Sequence, residues 1–340
     1  MEYPFNGGGG PGYEARFSLR RDAGWIGAAF LLMLALLQTV LTFILLVLGA
    51  LGVADLWAAD EWYGLGSTGF LLAYMVAYAL IMGLPGPLTA LFTRRKLRPF
   101  SPYAEERPLR FSSLLLALLG GLAVCILANF ATSYLMAFFG LFGIRQPEMP
   151  SYLEPTIPSL LLNILALAVL PGVLEELLFR GYFLRLLRPY GGRFAIVVTA
   201  ALFGLMHGNI LQIPFAFLVG LACGWLALRT GRVWPAMLLH FLNNFMAQVL
   251  EYVGLYQTPA ASQRTLLIVF CLIGMVGLAA VFLLFARGDP LVQGTVEPAP
   301  TLRLGERMGA LFSSPALLTA VVIGTLLTLL SVLTTQLGAA

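Results

Sequence analysis

The chain has 340 residues, of which 59% are hydrophobic and only 11% charged, and its mean hydropathy is +0.89. Soluble domains carry roughly a quarter of their residues as charges, so a water-soluble enzyme, a nucleic-acid-binding protein and a disordered regulator all fit poorly. The formal charge of +4 does not call for nucleic acid, because in a membrane protein such an excess orients loops.

Residues 1–22 are polar and Gly-rich, with Gly7 to Gly10 ahead of Pro11 and Gly12, and are expected to form a disordered cytoplasmic tail. The apolar run behind them is too long for the core of a signal peptide. A helix needs about 20 apolar residues to cross a bilayer. On that criterion spans are expected near 25–51, 67–92, 111–142, 159–187, 194–209, 211–229, 232–252, 264–286 and 311–338. The fold class is therefore all-α, a polytopic transmembrane bundle of eight or nine spans. Pro85 and Pro87 are expected to kink or break the second helix. The stretch 194–209 is short for a crossing and ends at Gly208-Asn209. Residues 23–150 hold the N-terminal helices, 151–256 a core with the unusual chemistry, and 257–340 the C-terminal helices. A Gly-, Pro- and charge-rich cytoplasmic linker is expected at 288–308.

Cations support this map. With a cytoplasmic N-terminus, 18 of the 20 Lys and Arg residues fall on the inner side, and only Arg145 and Arg264 fall outside. That satisfies the positive-inside rule for an odd number of spans. The chain is accordingly expected to be an integral plasma-membrane protein in contact with lipid, without a nucleic-acid partner. Cys125, Cys223 and Cys271 sit in apolar runs without CxxC spacing, which implies neither a disulfide framework nor a thiolate metal site.

Ionisable side chains deep in a bilayer are costly and point to function. Here they cluster. Glu175 and Glu176 are adjacent within an apolar helix, and Arg180 lies four residues beyond Glu176, on the same face, where the two can neutralise one another. Glu175 points about 100° away and is free to face a cavity. The only two histidines, His207 and His240, lie in the same region, and Asn244 shares the face of His240. The map places His207 towards the outer end of a short span, which strains convergence with the others. Glu175, His207 and His240 could hold a hydrolytic zinc with an open water position. The same residues could instead hold a water directly, with Glu175 as general base. Taken alone, the Glu176–Arg180 pair reads more simply as a structural bridge. Gly120-Gly121, and Gly220 with Gly224, read as sites of close helix packing. Trp234-Pro235 reads as an interfacial anchor with proline in the first helical turn.

Glu175-Glu176-xxx-Arg180, Phe203-xxx-His207 and His240-xxx-Asn244 resemble the three signatures of the CPBP family. These are the CAAX-processing and bacteriocin-processing (Abi) intramembrane proteases, the Ras-converting enzyme type among them. The resemblance covers roughly 155–250 and shows no departure within the motifs. It implies that Glu175 activates the attacking water, with His207 positioning or polarising it. It also implies that His240 and Asn244 stabilise the oxyanion, and that Glu176 and Arg180 orient the first motif. Members of the family have been described both as metalloproteases and as metal-independent glutamate proteases, so zinc remains a candidate cofactor. The implied activity is an intramembrane endopeptidase acting on a peptide or a prenylated or otherwise lipidated protein. An Arg-heavy, Lys-poor, Ala-, Gly- and Leu-rich composition favours a prokaryotic source. The rival readings are a non-catalytic bacteriocin-immunity or scaffold protein and a proton-coupled transporter.

Overall fold

The computed structural model describes residues 11–58, 60, 62–93, 97–101, 103, 109–144, 151–293 and 301–338. Among them every regular element is helical.

The first helix, α1 (Pro11–Ala50), has 40 residues, about 60 Å at 1.5 Å per residue. That is twice the roughly 30 Å hydrocarbon core. The polar stretch 11–22, expected within a disordered tail, is therefore the start of a helix; residues 1–10 lie outside the described residues. Tertiary contacts supply the reason. Leu19, Asp22 and Ala23 are buried, Tyr190 donates to Asp22 Oδ2 at 2.8 Å, and Arg16 pairs with Glu306. The second span is divided at the prolines as expected, into α2 (Gly66–Gly83) and α3 (Pro85–Thr93). Leu84 between them keeps helical angles (φ −80°, ψ −42°), so the chain kinks without reversing.

The helix α4 (Phe111–Gly140) leads to a long compound rod over 157–190. In order, the rod comprises α5 (Ile157–Ile164), a π-helical segment (Leu165–Val169), α6 (Leu170–Glu176), a second π segment (Leu177–Phe183), α7 (Leu184–Leu187) and a 3₁₀ turn (Arg188–Tyr190). Thr156 caps it, accepting from the Ser159 N–H at 3.3 Å. Pro171 inside the rod lacks an N–H, so the Leu167 carbonyl four residues back loses its helical donor. The first π segment lies beside that break.

Next come α8 (Gly192–Leu205), α9 (Gln212–Thr230), α10 (Trp234–Gly254) and α11 (Pro259–Ala286). At 14 residues, about 21 Å, α8 is too short to cross. The turn after it leaves His207 part-way into the bundle, which removes the strain in the expected map. Small residues set the α8–α9 packing. A Cβ on Gly220 would lie 3.1 Å from Ala200 Cα, and one on Gly224 would lie 3.2 Å from Ile196 Cγ2. Gly121 in α4 faces Leu239 of α10 in the same way.

The last expected span is divided into α12 (Leu304–Phe312) and α13 (Pro315–Gly338). Residues 304–308 of the expected linker are thus helical, and 294–300 lie outside the described residues. Glu306 accepts from the Arg303 N–H at 2.8 Å, which closes the first turn of α12. Pro315 then starts a new helix.

Each of the nine expected spans corresponds to helix among the described residues. Seven of them are long and apolar enough to cross a membrane by themselves, covering 12–50, 66–93, 111–140, 157–190, 212–230, 259–286 and 315–336. The remaining two are α8, which is short, and α10, which has 21 residues but carries His240, Asn243, Asn244, Gln248 and Glu251. The core at the centre of this helical bundle is formed by Phe179, Phe183, Phe203, Leu178 and the fully buried Arg180.

Candidate active site

The site is assembled on the compound rod, at the junction of α6 and the second π segment. Glu175 is 5% exposed, and Glu176 and Arg180 are fully buried. Arg180 Nη1 donates to Glu176 Oε1 at 2.8 Å, as the four-residue spacing predicts. Its Nη2 donates to the Gly220 carbonyl of α9, also at 2.8 Å, and the guanidinium carbon lies 4.6 Å from the centre of the Phe203 ring. Desolvating an arginine is costly unless its donors are matched. Here one carboxylate and one carbonyl take the two Nη groups and an aromatic face covers the plane, while Nε has no hydrogen-bond partner among the described residues.

His240 joins the two glutamates. Its Nδ1 lies 3.0 Å from Glu176 Oε1, and its Nε2 lies 3.9 Å from Glu175 Oε2. The carboxylate next to Arg180 can only accept, so Nδ1 carries a hydrogen and Nε2 faces Glu175. The other Glu175 oxygen, Oε1, accepts from the Tyr78 hydroxyl of α2. Glu175 Oε2 is buried and has no hydrogen-bond partner among the described residues.

His207 enters from the turn after α8. Its Nδ1 lies 2.8 Å from the Phe203 carbonyl, which again fixes the hydrogen on Nδ1 and leaves Nε2 as an acceptor. The Phe203 ring meets His207 and His240 edge-on, with centroids 5.3 and 5.8 Å away. One aromatic ring thus spaces both imidazoles and covers Arg180. Asn244 sits one turn beyond His240. Its Nδ2 donates at 3.0 Å to the Leu167 carbonyl, the group that Pro171 leaves without a helical donor, and its Oδ1 accepts from Asn243 at 3.0 Å.

The expected residues therefore meet unequally. Glu175, Glu176, Arg180 and His240 form one connected network, His207 joins through Phe203, and Asn244 is tied to the rod rather than directly to the carboxylates. Among the described residues, no group of three or more His, Cys, Asp or Glu side chains is arranged to hold a metal ion. Tetrahedral zinc would bring its ligand atoms within about 3.4 Å of one another, whereas Glu175 Oε2 and His240 Nε2 are 3.9 Å apart. The Glu175–His207–His240 set does not fit zinc in this arrangement, and the chemistry below is derived without it.

Three participants escaped the sequence reading: Tyr78, the Gly220 carbonyl and Tyr103. Tyr74 and Tyr78, four apart in an otherwise apolar helix, were the available signal for the first. Gly220 was read only as a packing residue. Tyr103 closes the basic end of the site. Its hydroxyl donates to the Arg180 carbonyl, its N–H donates to the Gly231 carbonyl at 2.8 Å, and Arg185 lies over its ring at 4.3 Å. Burial pushes the Tyr103 phenol well above its ordinary value.

With this geometry in place, comparisons with known proteins are informative. Residues 157–246 match the family model described as type II CAAX prenyl endopeptidase Rce1-like. The matched segment starts at α5 and ends two residues beyond Asn244, so it contains all three motifs. A Bacillus subtilis (strain 168) protein named "Putative membrane peptidase YdiL" is 27% identical over 131 residues, which cover 37% of this chain and 54% of that protein. The chain thus spans about half the length of the curated relative it matches. No solved structure matches. The resemblance carried by three short motifs stands: the segment that builds the site matches the Rce1-like family model and is consistent with the CPBP family.

Proposed function

We propose that this chain is an intramembrane endopeptidase in which Glu175 activates a water for attack on a peptide bond. The observation that carries the reading is the open Oε2 of Glu175, buried and unpartnered, facing His240 Nε2 across 3.9 Å. That gap is too long for a hydrogen bond, and it has the span that one water oxygen would bridge at about 2.8 Å from each atom. His207 Nε2 supplies a second acceptor to orient the water.

Glu175 takes the water proton as the oxygen adds to the scissile carbonyl carbon, giving a tetrahedral intermediate. The site holds two carboxylates against one guanidinium, so a proton on His240 brings its net charge to zero. In that form Nδ1–H donates to Glu176 and Nε2–H donates to the oxyanion. The second Nδ2 hydrogen of Asn244 is the other donor, with the first committed to Leu167. Fixed donors in a dry cavity stabilise such charge well, because they need no reorganisation. Collapse of the intermediate breaks the C–N bond, and Glu175 passes its proton to the leaving amine. The products are a carboxylic acid and an amine, which ionise to carboxylate and ammonium once released into water.

The family description names a prenyl endopeptidase. For this chain, a peptide or lipid-modified protein presented from the membrane is the substrate class to test. The arginine distribution supports a site nearer the cytoplasmic side of the membrane, and the Arg-heavy, Lys-poor composition supports a prokaryotic plasma membrane.

Comparing peptide termini tests the reading without naming a substrate. Cells lacking the gene are given either the wild type or Glu175→Gln at equal levels. A terminus found only with the wild type supports proteolysis and identifies a substrate. Identical termini, with any cellular phenotype surviving in the variant, would refute it in favour of a scaffold or immunity role.

A further inference from the structure

The helix α2 contributes none of the three motifs, yet it packs against α6 and sends one side chain into the centre of the site. Tyr78 is 7% exposed and donates its hydroxyl hydrogen to Glu175 Oε1. Glu175 is otherwise held loosely, since its buried Oε2 has no hydrogen-bond partner among the described residues. A carboxylate rotates about its terminal torsion over a broad, twofold profile, so without a clasp its two oxygens would exchange. The tyrosine is itself braced from behind. The Tyr74 ring lies 5.5 Å from the Tyr78 ring and 6.3 Å from the Tyr152 ring, and Tyr152 stacks on Phe70 at 5.9 Å.

We propose that Tyr78 is a positioning residue for hydrolysis: it holds Glu175 Oε1 so that Oε2 alone faces the water shared with His240. The inference rests on the peptidase reading above and adds to it a residue outside the matched segment. A packing role would need only the ring, which phenylalanine supplies equally. The positioning role needs the O–H, so the hydroxyl hydrogen distinguishes the two.

The test uses the full chain in lipid nanodiscs and the substrate identified by the comparison of termini. Tyr78→Phe should lower kcat by about 10- to 100-fold, the range expected for one hydrogen bond to a charged group. KM should stay within about twofold, because the interaction acts on the base and not on bound substrate. The thermal midpoint should be preserved, and 3-fluorotyrosine at position 78, which keeps the O–H, should restore most of kcat. A Tyr78→Phe enzyme with wild-type kcat would overturn the proposal. So would a loss of kcat that only parallels a loss of stability and is not rescued by fluorotyrosine.

A second readout needs no activity. The infrared difference between wild type and Glu175→Gln isolates the Glu175 carboxylate bands, and these should move when the same difference is taken in the Tyr78→Phe background. Unmoved bands would show that the hydroxyl does not hold Glu175. An inactive wild type with moved bands would count against the peptidase reading while leaving the clasp in place.

Discussion

Removing the Arg180 guanidinium tests the electrostatics of the site most directly. Arg180→Met keeps much of the side-chain volume but deletes two 2.8 Å hydrogen bonds, one to Glu176 and one to the Gly220 carbonyl, and the contact with Phe203. The Gly220 carbonyl belongs to a helix and has other means of satisfaction. Glu176 does not, because it is fully buried and, among the described residues, is left with His240 and the neighbouring Cys223 thiol. Breaking one side of a buried ion pair costs about 3–5 kcal/mol, a large part of a typical folding stability of about 5–15 kcal/mol. In the double variant Glu176→Gln/Arg180→Met both charges are gone and the glutamine oxygen still accepts from His240. It should recover at least about 2 kcal/mol relative to the single variant, a coupling that a double-mutant cycle isolates. The assay is reversible unfolding in mixed micelles by SDS titration, followed by helical circular dichroism. A single variant within about 1 kcal/mol of wild type, or a double variant less stable than Arg180→Met, would refute a buried charge pair as the scaffold of this site.

Two further perturbations follow from the packing. Gly220→Ala gains about 1 kcal/mol of helix propensity, but its Cβ would meet the Ala200 backbone at 3.1 Å and Arg180 Nη2 at 3.3 Å, so overpacking of about 1–3 kcal/mol should prevail. Gly309→Ala in α12, where nothing lies within 4 Å, should be neutral or stabilising in the same unfolding assay; equal behaviour of the two would contradict the close α8–α9 approach. Tyr103 gives a pH signature, because burial raises its phenol in the folded protein. The unfolded chain then releases this proton first, so the contribution to stability is complete below about pH 10 and is lost as pH rises further. Between pH 9 and pH 11 the wild type should lose more stability than Tyr103→Phe, and parallel profiles would place Tyr103 in water.

Much of this architecture was legible in the sequence because it depends on properties of single helices. Apolar run length located the spans, Pro85 located the break between α2 and α3, and Pro171 removes the α-helical donor of the Leu167 carbonyl, which accepts from Asn244. The Glu176–Arg180 contact is a consequence of four-residue spacing. The three motifs marked Glu175, His207, His240 and Asn244 because polar residues stand out in an apolar chain. Other decisions belonged to the tertiary structure. Helical periodicity says which residues share a face, but not which neighbour that face meets. Thus Tyr78 reaches Glu175 across 97 positions, His240 reaches Glu176 across 64, and the Gly220 carbonyl reaches Arg180 across 40. The polar stretch 11–22 becomes helix because Tyr190 and Glu306 dock onto it, and the sequence of the stretch alone carries no trace of either partner. His207 follows directly on the end of α8, whose last turn packs closely on α9: a Cβ at Gly204 would meet the Ile213 carbonyl at 2.9 Å. Composition and spacing thus determined the membrane class and the candidate residues, while packing between distant helices decided which oxygen of Glu175 is held and which is open.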